Sequence, residues 1–452
     1  MDTRKIAIAC QGGGIHGAFT CGVLNRLLRA KEDEENGVGD TRSRRRFEIY
    51  GLSGTSAGAL NAFMVWYGMM LKEGHPDRFA EARRAVNNLW DTFQVRKNGE
   101  WGINLLGQQA YQLQDFGIDI RPQYPPYFSD WLGWALRQWS TVENLIAPKV
   151  DFGEVRPEFY DFASLLRTCA PEFPRIQERL EQIARERTKP RLLIGANEIL
   201  SGEFEAFDSF IKKVEEIDPQ QRQDLRNRTE QEARRRISYE AVEASGTLPE
   251  IRRSQRIPGL KNIEGQDVLY WDGLYSQNPP ISPFVSDTPL EDVPDEIWVI
   301  RINPQRRDRE PLTLHDIHDR QNELSGNVST NQELTFIQAV NGWVREDKER
   351  TGFAKTHKEI DIYMITMAKQ LTDSLDIGSK MNRDPAFVSD LRQHGDERGT
   401  EFLDFWSTAA DHELNIVKWP TRALEGIHVC KSRRITPRVP ELRPVSKARV
   451  AG

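Results

Sequence analysis

Cysteine is scarce in this sequence. The 452 residues contain four, Cys10, Cys21, Cys169 and Cys430, with no CxxC pair and no histidine placed to join them. That spacing excludes a zinc ribbon or a disulfide framework and suits a reducing compartment. Long apolar runs are missing too. The longest, residues 57–71, is interrupted by Gly58, Asn61 and Gly68. It falls short of the ~20 residues needed to cross a bilayer and reads as a buried core helix. Residues 1–5 carry charge and lead straight into a strand pattern, without the apolar stretch of a signal peptide, so the expected location is cytoplasmic. Excess positive charge is also absent. Sixty-two Lys and Arg against 68 Asp and Glu leave a net charge of −6, which argues against nucleic acid as a partner.

What is present points to an α/β protein. At this length one large domain plus an extension is expected, because single cores seldom grow beyond roughly 250–300 residues. Residues 5–10 (Lys-Ile-Ala-Ile-Ala-Cys) form a compact strand pattern, and residues 18–29 have helical spacing through Phe19, Val23, Leu24, Leu27 and Leu28. A charged loop at 31–46 precedes a second strand at 47–52 and the apolar helix. This βαβα order implies a parallel sheet. Residues 99–190 crowd Trp101, Phe116, Tyr124, Tyr127, Phe128, Trp131, Trp134 and Trp139 among Gly and Pro. They read as an inserted helical subdomain with its own aromatic core, with a lid or interfacial surface as the alternative. Strand patterns return at 191–197, 203–207, 268–271 and 296–302, and 237–249 reads as a helix ending in small residues and proline. Beyond Pro304 the sequence turns to polar helical segments. The last stretch, 431–452, holds seven Lys or Arg and one Glu. It reads as a solvated tail, with contact to an anionic membrane surface as the secondary expectation.

Two glycine-rich turns carry the chemistry. Gly12-Gly13-Gly14-Ile15-His16-Gly17 follows the first strand, and Gly54-Thr55-Ser56-Ala57-Gly58 follows the second. A random chain of this length holds roughly 0.1 copies of Gly-x-Ser-x-Gly, so that motif alone is only suggestive. Both turns nevertheless fall at predicted strand-to-helix junctions, where backbone amides and one hydroxyl meet at the same sheet edge. A serine hydroxyl needs a base within hydrogen-bond reach and a prepared site for the oxyanion that its attack on an ester creates. Gly12, Gly13 and Gly14 leave backbone N–H groups free to face a cavity at a helix N-terminus, while Gly54 and Gly58 make room around the serine. For the base, His315, His318, His357, His394, His412 and His428 all follow in the chain, but none sits in a distinctive turn. Asp272-Gly273 does: it places a carboxylate just after an apolar strand, with Gly273 allowing a tight bend.

With Gly12–Gly17, Gly54–Gly58 and Asp272-Gly273 in these positions, and with Ala244-Ser245, Pro249 and Asn278-Pro279 between and after them, the sequence resembles the patatin-like phospholipases over roughly residues 5–305. The resemblance implies a three-layer α/β sandwich with a mainly parallel central sheet, followed by a mostly helical region at 306–430 and the basic tail. It implies a serine lipid acyl hydrolase of phospholipase A, lysophospholipase or esterase type, with Ser56 as nucleophile, Asp272 as base and the glycine loop as oxyanion hole. Lipid or phospholipid acyl esters are the implied substrates, peripheral membrane contact is compatible, and no metal or cofactor is called for. The sequence departs from the family in two places. His16 stands where the family's glycine loop usually has Arg or Lys, making it a candidate modulator of the loop, and Leu274 replaces a small residue after Asp272-Gly273.

Other readings differ in class. Gly12-x-Gly14-x-x-Gly17 also fits a dinucleotide-binding turn, but that turn expects an acidic residue at the end of the second strand. Here that strand ends in Tyr50-Gly51-Leu52-Ser53 and the serine turn. A lipid-binding or scaffold protein with the same fold and a Ser-His-Asp hydrolase remain as alternatives.

Overall fold

A computed structural model describes residues 2–38, 43–112, 131–135, 154–210, 236–249, 251–262, 265–286, 288–347, 352–411 and 413–414. The basic tail, nearly all of the charged segment 211–236 and much of the aromatic insertion lie outside the described residues.

The architecture is a mainly parallel mixed sheet with helices on both faces. Strands β1 (Asp2–Cys10), β2 (Arg45–Thr55), β3 (Arg191–Glu198), β7 (Glu296–Arg301) and β8 (Asp361–Thr366) run parallel, while β4 (Phe204–Asp208) and β6 (Asp267–Asp272) pair antiparallel with β3. Strand β5 (Gln255–Lys261) extends the β6 edge, giving the order β5-β6-β3-β2-β1-β7-β8 with β4 alongside β3. Central β1 is fully buried from Ile6 to Cys10. That explains its continuous apolar run, since a strand covered on both faces has no reason to alternate with polar residues.

Successive side chains of β1 divide between two cores. Ile6, Ile8 and Cys10 join the larger one, with α1 (Gly17–Glu35), α2 (Ala57–Leu71), α3 (Arg78–Phe93) and the helix Pro385–Thr408. Ala7 and Ala9 join the smaller one, with Leu334 and Ile337 of the long helix Leu314–Glu346. The C-terminal region therefore supplies both the second covering layer and the edge strand β8. This strand lies in residues whose sequence reads as polar helix, and its only strong signal is the four-residue run Ile362–Ile365.

The apolar stretch at 57–71 is the buried helix α2, as expected. Its one strongly polar residue, Asn61, is fully satisfied: Nδ2 donates to the carbonyls of Gly17 (3.0 Å) and Ala57 (2.9 Å), and Oδ1 accepts from Trp90 Nε1 (2.9 Å). Among the described residues, no helix is long and apolar enough to cross a membrane.

Helix α1 packs backbone to backbone on the helix Pro385–Thr408. A side chain at Gly22 would overlap the Arg392 carbonyl, and one at Gly395 would overlap the Phe19 carbonyl. Gly395→Val is therefore expected to pry this helix off the core and lower stability by several kcal/mol, with part of the cost from overpacking at about 1–3 kcal/mol. Thermal denaturation checks this, and an unchanged Tm would contradict the close packing.

Candidate active site

The serine turn is formed where β2 leaves the sheet. Ser56 has φ 56° and ψ −127°, between the last β2 residue, Thr55, and the first α2 residue, Ala57. A non-glycine residue in that region is strained, and such strain persists only where the surroundings enforce it. They do so here through contact. A side chain at Gly58 would overlap the Cys10 carbonyl, and one at Gly54 would overlap the Gly58 carbonyl, so strand and helix can approach only with glycine at both positions. The Ser56 N–H donates to Ser245 Oγ (3.0 Å), which in turn donates to the Gly195 carbonyl (2.6 Å). Ser245→Ala would strand both backbone groups, at a cost of about 1–3 kcal/mol for buried unpaired polar groups. Urea denaturation should show that loss; full retention of stability would mean that Ser245 does not brace the turn.

Strand β3 brings Asp272 to the same place. Gly195 pairs with Thr55 and with Ala206 of β4, while the next residue, Ala196, pairs with Asp272 and with Glu205 of β4. Because β4 occupies one edge of β3, the ends of β2 and β6 meet on the other. Gly273 is required at this junction, since a Cβ there would come within 2.7 Å of the Gly195 carbonyl oxygen. Gly195 was not singled out in the sequence, although an isolated glycine inside a buried strand signals a close backbone approach.

The Asp272 side chain is completely buried. Its Oδ1 accepts from the Leu274 N–H (2.9 Å), and its Oδ2 is buried without a hydrogen-bond partner. Burial pushes its pKa up to about 7, opposed by the nearby Ser56 hydroxyl and by the Leu274 N–H. The Ser56 hydroxyl is thus close enough to favour the carboxylate but makes no hydrogen bond to Oδ2, as is common before substrate draws a site together. Leu274, the bulky residue after Asp272-Gly273, is buried against Gly326 of the long C-terminal helix, where a Cβ would come within 3.2 Å of Leu274 Cδ1.

The glycine loop closes the other side. A Cβ at Gly12 would sit 2.7 Å from Ser56 Cβ, and one at Gly17 would sit 2.7 Å from Ala57 Cβ, so the loop lies directly on the serine turn. The Gly12 N–H donates to Asn278 Oδ1 (2.6 Å). Among the described residues, the N–H groups of Gly13 and Gly14 meet no acceptor. Gly14 has φ 60°, and the chain then turns through Gly14–His16 into α1. Gln11 anchors the start of the loop: Oε1 accepts from the N–H groups of Ile302 (3.0 Å) and Asn303 (2.9 Å), and Nε2 donates to Asn327 Oδ1 (3.0 Å).

His16 is buried, with Nε2 at 2.8 Å from Ser379 Oγ, and burial together with nearby Lys380 holds its pKa well below the ordinary range. It is a neutral residue at physiological pH. No histidine side chain among the described residues bonds to Ser56 or Asp272; His394 accepts from the Ala368 N–H, and His357 bonds with Thr356.

The site thus holds a strained, half-buried serine, a buried carboxyl with one free oxygen, and two unpaired backbone N–H groups. Among curated proteins none matches the chain. One similar solved structure is VipD from Legionella pneumophila, at 12% identity and a TM-score of 0.34, covering 89% of this chain and 67% of that one. A superposition that loose carries no argument. A family model described as patatin-like phospholipase matches residues 8–285, more than half of the chain and all of Ser56, Asp272 and the glycine loop. The protein therefore belongs to the patatin-like phospholipase family.

Proposed function

We propose that the protein is a serine lipid acyl hydrolase working through a Ser56–Asp272 dyad. Ser56 Oγ attacks the acyl carbonyl carbon and its proton passes to Asp272 Oδ2, while the carbonyl electrons move onto oxygen. The N–H groups of Gly13 and Gly14 receive that oxyanion, with Gly12 holding the loop against the serine. Collapse of the tetrahedral species expels the alcohol, which takes the proton from Asp272 and leaves an acyl-enzyme. Water then attacks with Asp272 again as base, releasing the fatty acid and restoring Ser56.

The observation that carries this reading is the Asp272 carboxyl, fully buried beside Ser56 with one oxygen unpartnered and a pKa near 7. Burial turns a carboxylate that is weakly basic in water into a base matched to neutral pH. A purely structural aspartate in this position would be expected to have both oxygens paired.

The substrate class follows from the family, and the contact with a lipid surface would be peripheral. Trp101, Leu105 and Leu106 on the helix Asn98–Gln112 are 44–61% exposed and offer an apolar patch for it. The test is hydrolysis of a soluble p-nitrophenyl ester and of phospholipid and lysophospholipid vesicles, with released fatty acid measured. Fatty-acid release is expected, and the cleaved lipid names the preferred class. Vesicle binding without release would instead make the protein a lipid-binding member of the fold.

A further inference from the structure

The glycine loop is held from behind by residues from within the family match and from beyond its end. Two side-chain amides face the Gly12 carbonyl, Asn278 Nδ2 and Asn303 Nδ2, each at 3.5 Å. Such contacts are long and individually weak. They matter because the Gly12–Gly13 peptide is planar and trans, so its carbonyl and N–H point in opposite directions. Drawing the Gly12 oxygen towards the two asparagines turns the Gly13 N–H to the other side.

Asn303 can perform this task in only one orientation of its amide. With the side chain flipped, an oxygen would face the Gly12 oxygen and repel it. The orientation is fixed by Lys380, whose Nζ donates to Asn303 Oδ1 (3.2 Å) and to Asn322 Oδ1 of the long helix. An ammonium has three donors and no acceptor, so it can donate only to the oxygen end of an amide. Lys380 is itself buried, and its backbone packs on the loop: a Cβ at Gly14 would come within 2.5 Å of the Lys380 carbonyl oxygen. The cavity it shares with His16 and Asn303 is lined by Asp319, Glu323 and Asp376, which offset its charge.

We propose that Lys380 is a positioning residue for the oxyanion loop, acting through the Asn303 amide to aim the Gly13 N–H. This rests on the hydrolase reading of Ser56 and extends it: a residue from the C-terminal third sets the efficiency of chemistry carried on the N-terminal two thirds. The part of the C-terminal region that holds Asn303, Asn322 and Lys380 would then belong to the active site's support, which a separate appended module would not provide.

The test uses the full-length protein with Lys380→Met, which keeps a long side chain against Gly14 but removes every donor, and with Asn303→Leu as an independent variant. On a soluble p-nitrophenyl ester each is expected to lower kcat by about 10- to 100-fold, below the 10²–10³ typical for deleting an oxyanion donor outright. KM should stay within about twofold, and the double variant should be no worse than the weaker single, because both act through one amide. Amide hydrogen exchange over residues 11–17 is expected to accelerate in both variants, and this is readable whether or not an ester is cleaved. Wild-type kcat in folded Lys380→Met, or additive losses in the double variant, overturns the proposal. If wild type cleaves no ester, exchange decides alone: acceleration keeps the positioning role and removes the hydrolase reading, and unchanged exchange removes the positioning role.

Discussion

Ser56→Ala is expected to reduce ester hydrolysis by about 10⁴-fold or more while leaving the fold intact. Loss of a serine nucleophile elsewhere costs up to ~10⁶ in kcat, the remainder coming from binding and the oxyanion site. A second substitution separates chemistry from conformation. Ser56 holds φ 56°, a backbone region that glycine occupies readily and that costs other residues about 1–3 kcal/mol. Ser56→Gly should therefore be as inactive as the alanine variant yet more stable, by on the order of 1 kcal/mol in urea denaturation. An inactive variant that gains stability is the mark of strain held for function. If Ser56→Gly proved destabilised by as much as an ordinary serine-to-glycine change, the turn would not be strained.

Asp272→Asn is expected to abolish activity by removing the base and to stabilise the protein in a pH-dependent way. Burial raises the Asp272 pKa from an ordinary 3.8 to about 7, so the fold favours its protonated form. The group's contribution to stability is fully present below about pH 4 and is lost as the pH rises through about 7. Replacing it with a neutral amide should change little at pH 4 and help progressively above it. The interval from 3.8 to about 7 corresponds to a gain on the order of 4 kcal/mol at pH 8. Wild-type activity has the opposite dependence, since the base works only when ionised: kcat/KM should rise about tenfold per pH unit below 7 and level off above it. Denaturation of both proteins at pH 4 and pH 8 checks the stability effect. Equal stabilities at pH 8 would mean that Asp272 is not held in a desolvated site.

The parts of this molecule legible in the sequence are those written by backbone constraint. Strands β1 and β3 are covered on both faces and announce themselves as apolar runs, and the tight approach of β1, β2 and α2 can be met only by glycine at positions 12, 54 and 58. Those glycines mark the candidate site from sequence alone. The long helix Leu314–Glu346 was harder to place because the face it turns to the sheet, beneath Ala7 and Ala9, mixes the apolar Leu334 and Ile337 with buried Asn327, Thr330, Glu333 and Asn341, while Val328, Phe336 and Trp343 lie exposed, so no clean apolar stripe marks it. Strand β8 was hidden for a similar reason, as a short edge element among polar residues. Of the polar braces, Ser245 and Asn278 stand out through their motifs, whereas Gln11, Asn303 and Lys380 do not. Gln11 meets Asn303 across 292 positions, and a hydrogen bond between residues so far apart leaves no local pattern.

The central claim is that Ser56 is an activated nucleophile, and the most direct measurement is intact-protein mass spectrometry after treatment with a fluorophosphonate, which reacts covalently with activated serines. Wild type should gain one adduct, located by peptide mapping to Ser56, and Ser56→Ala should gain none. An adduct elsewhere, equal labelling of Ser56→Ala, or no labelling of folded wild type would contradict it.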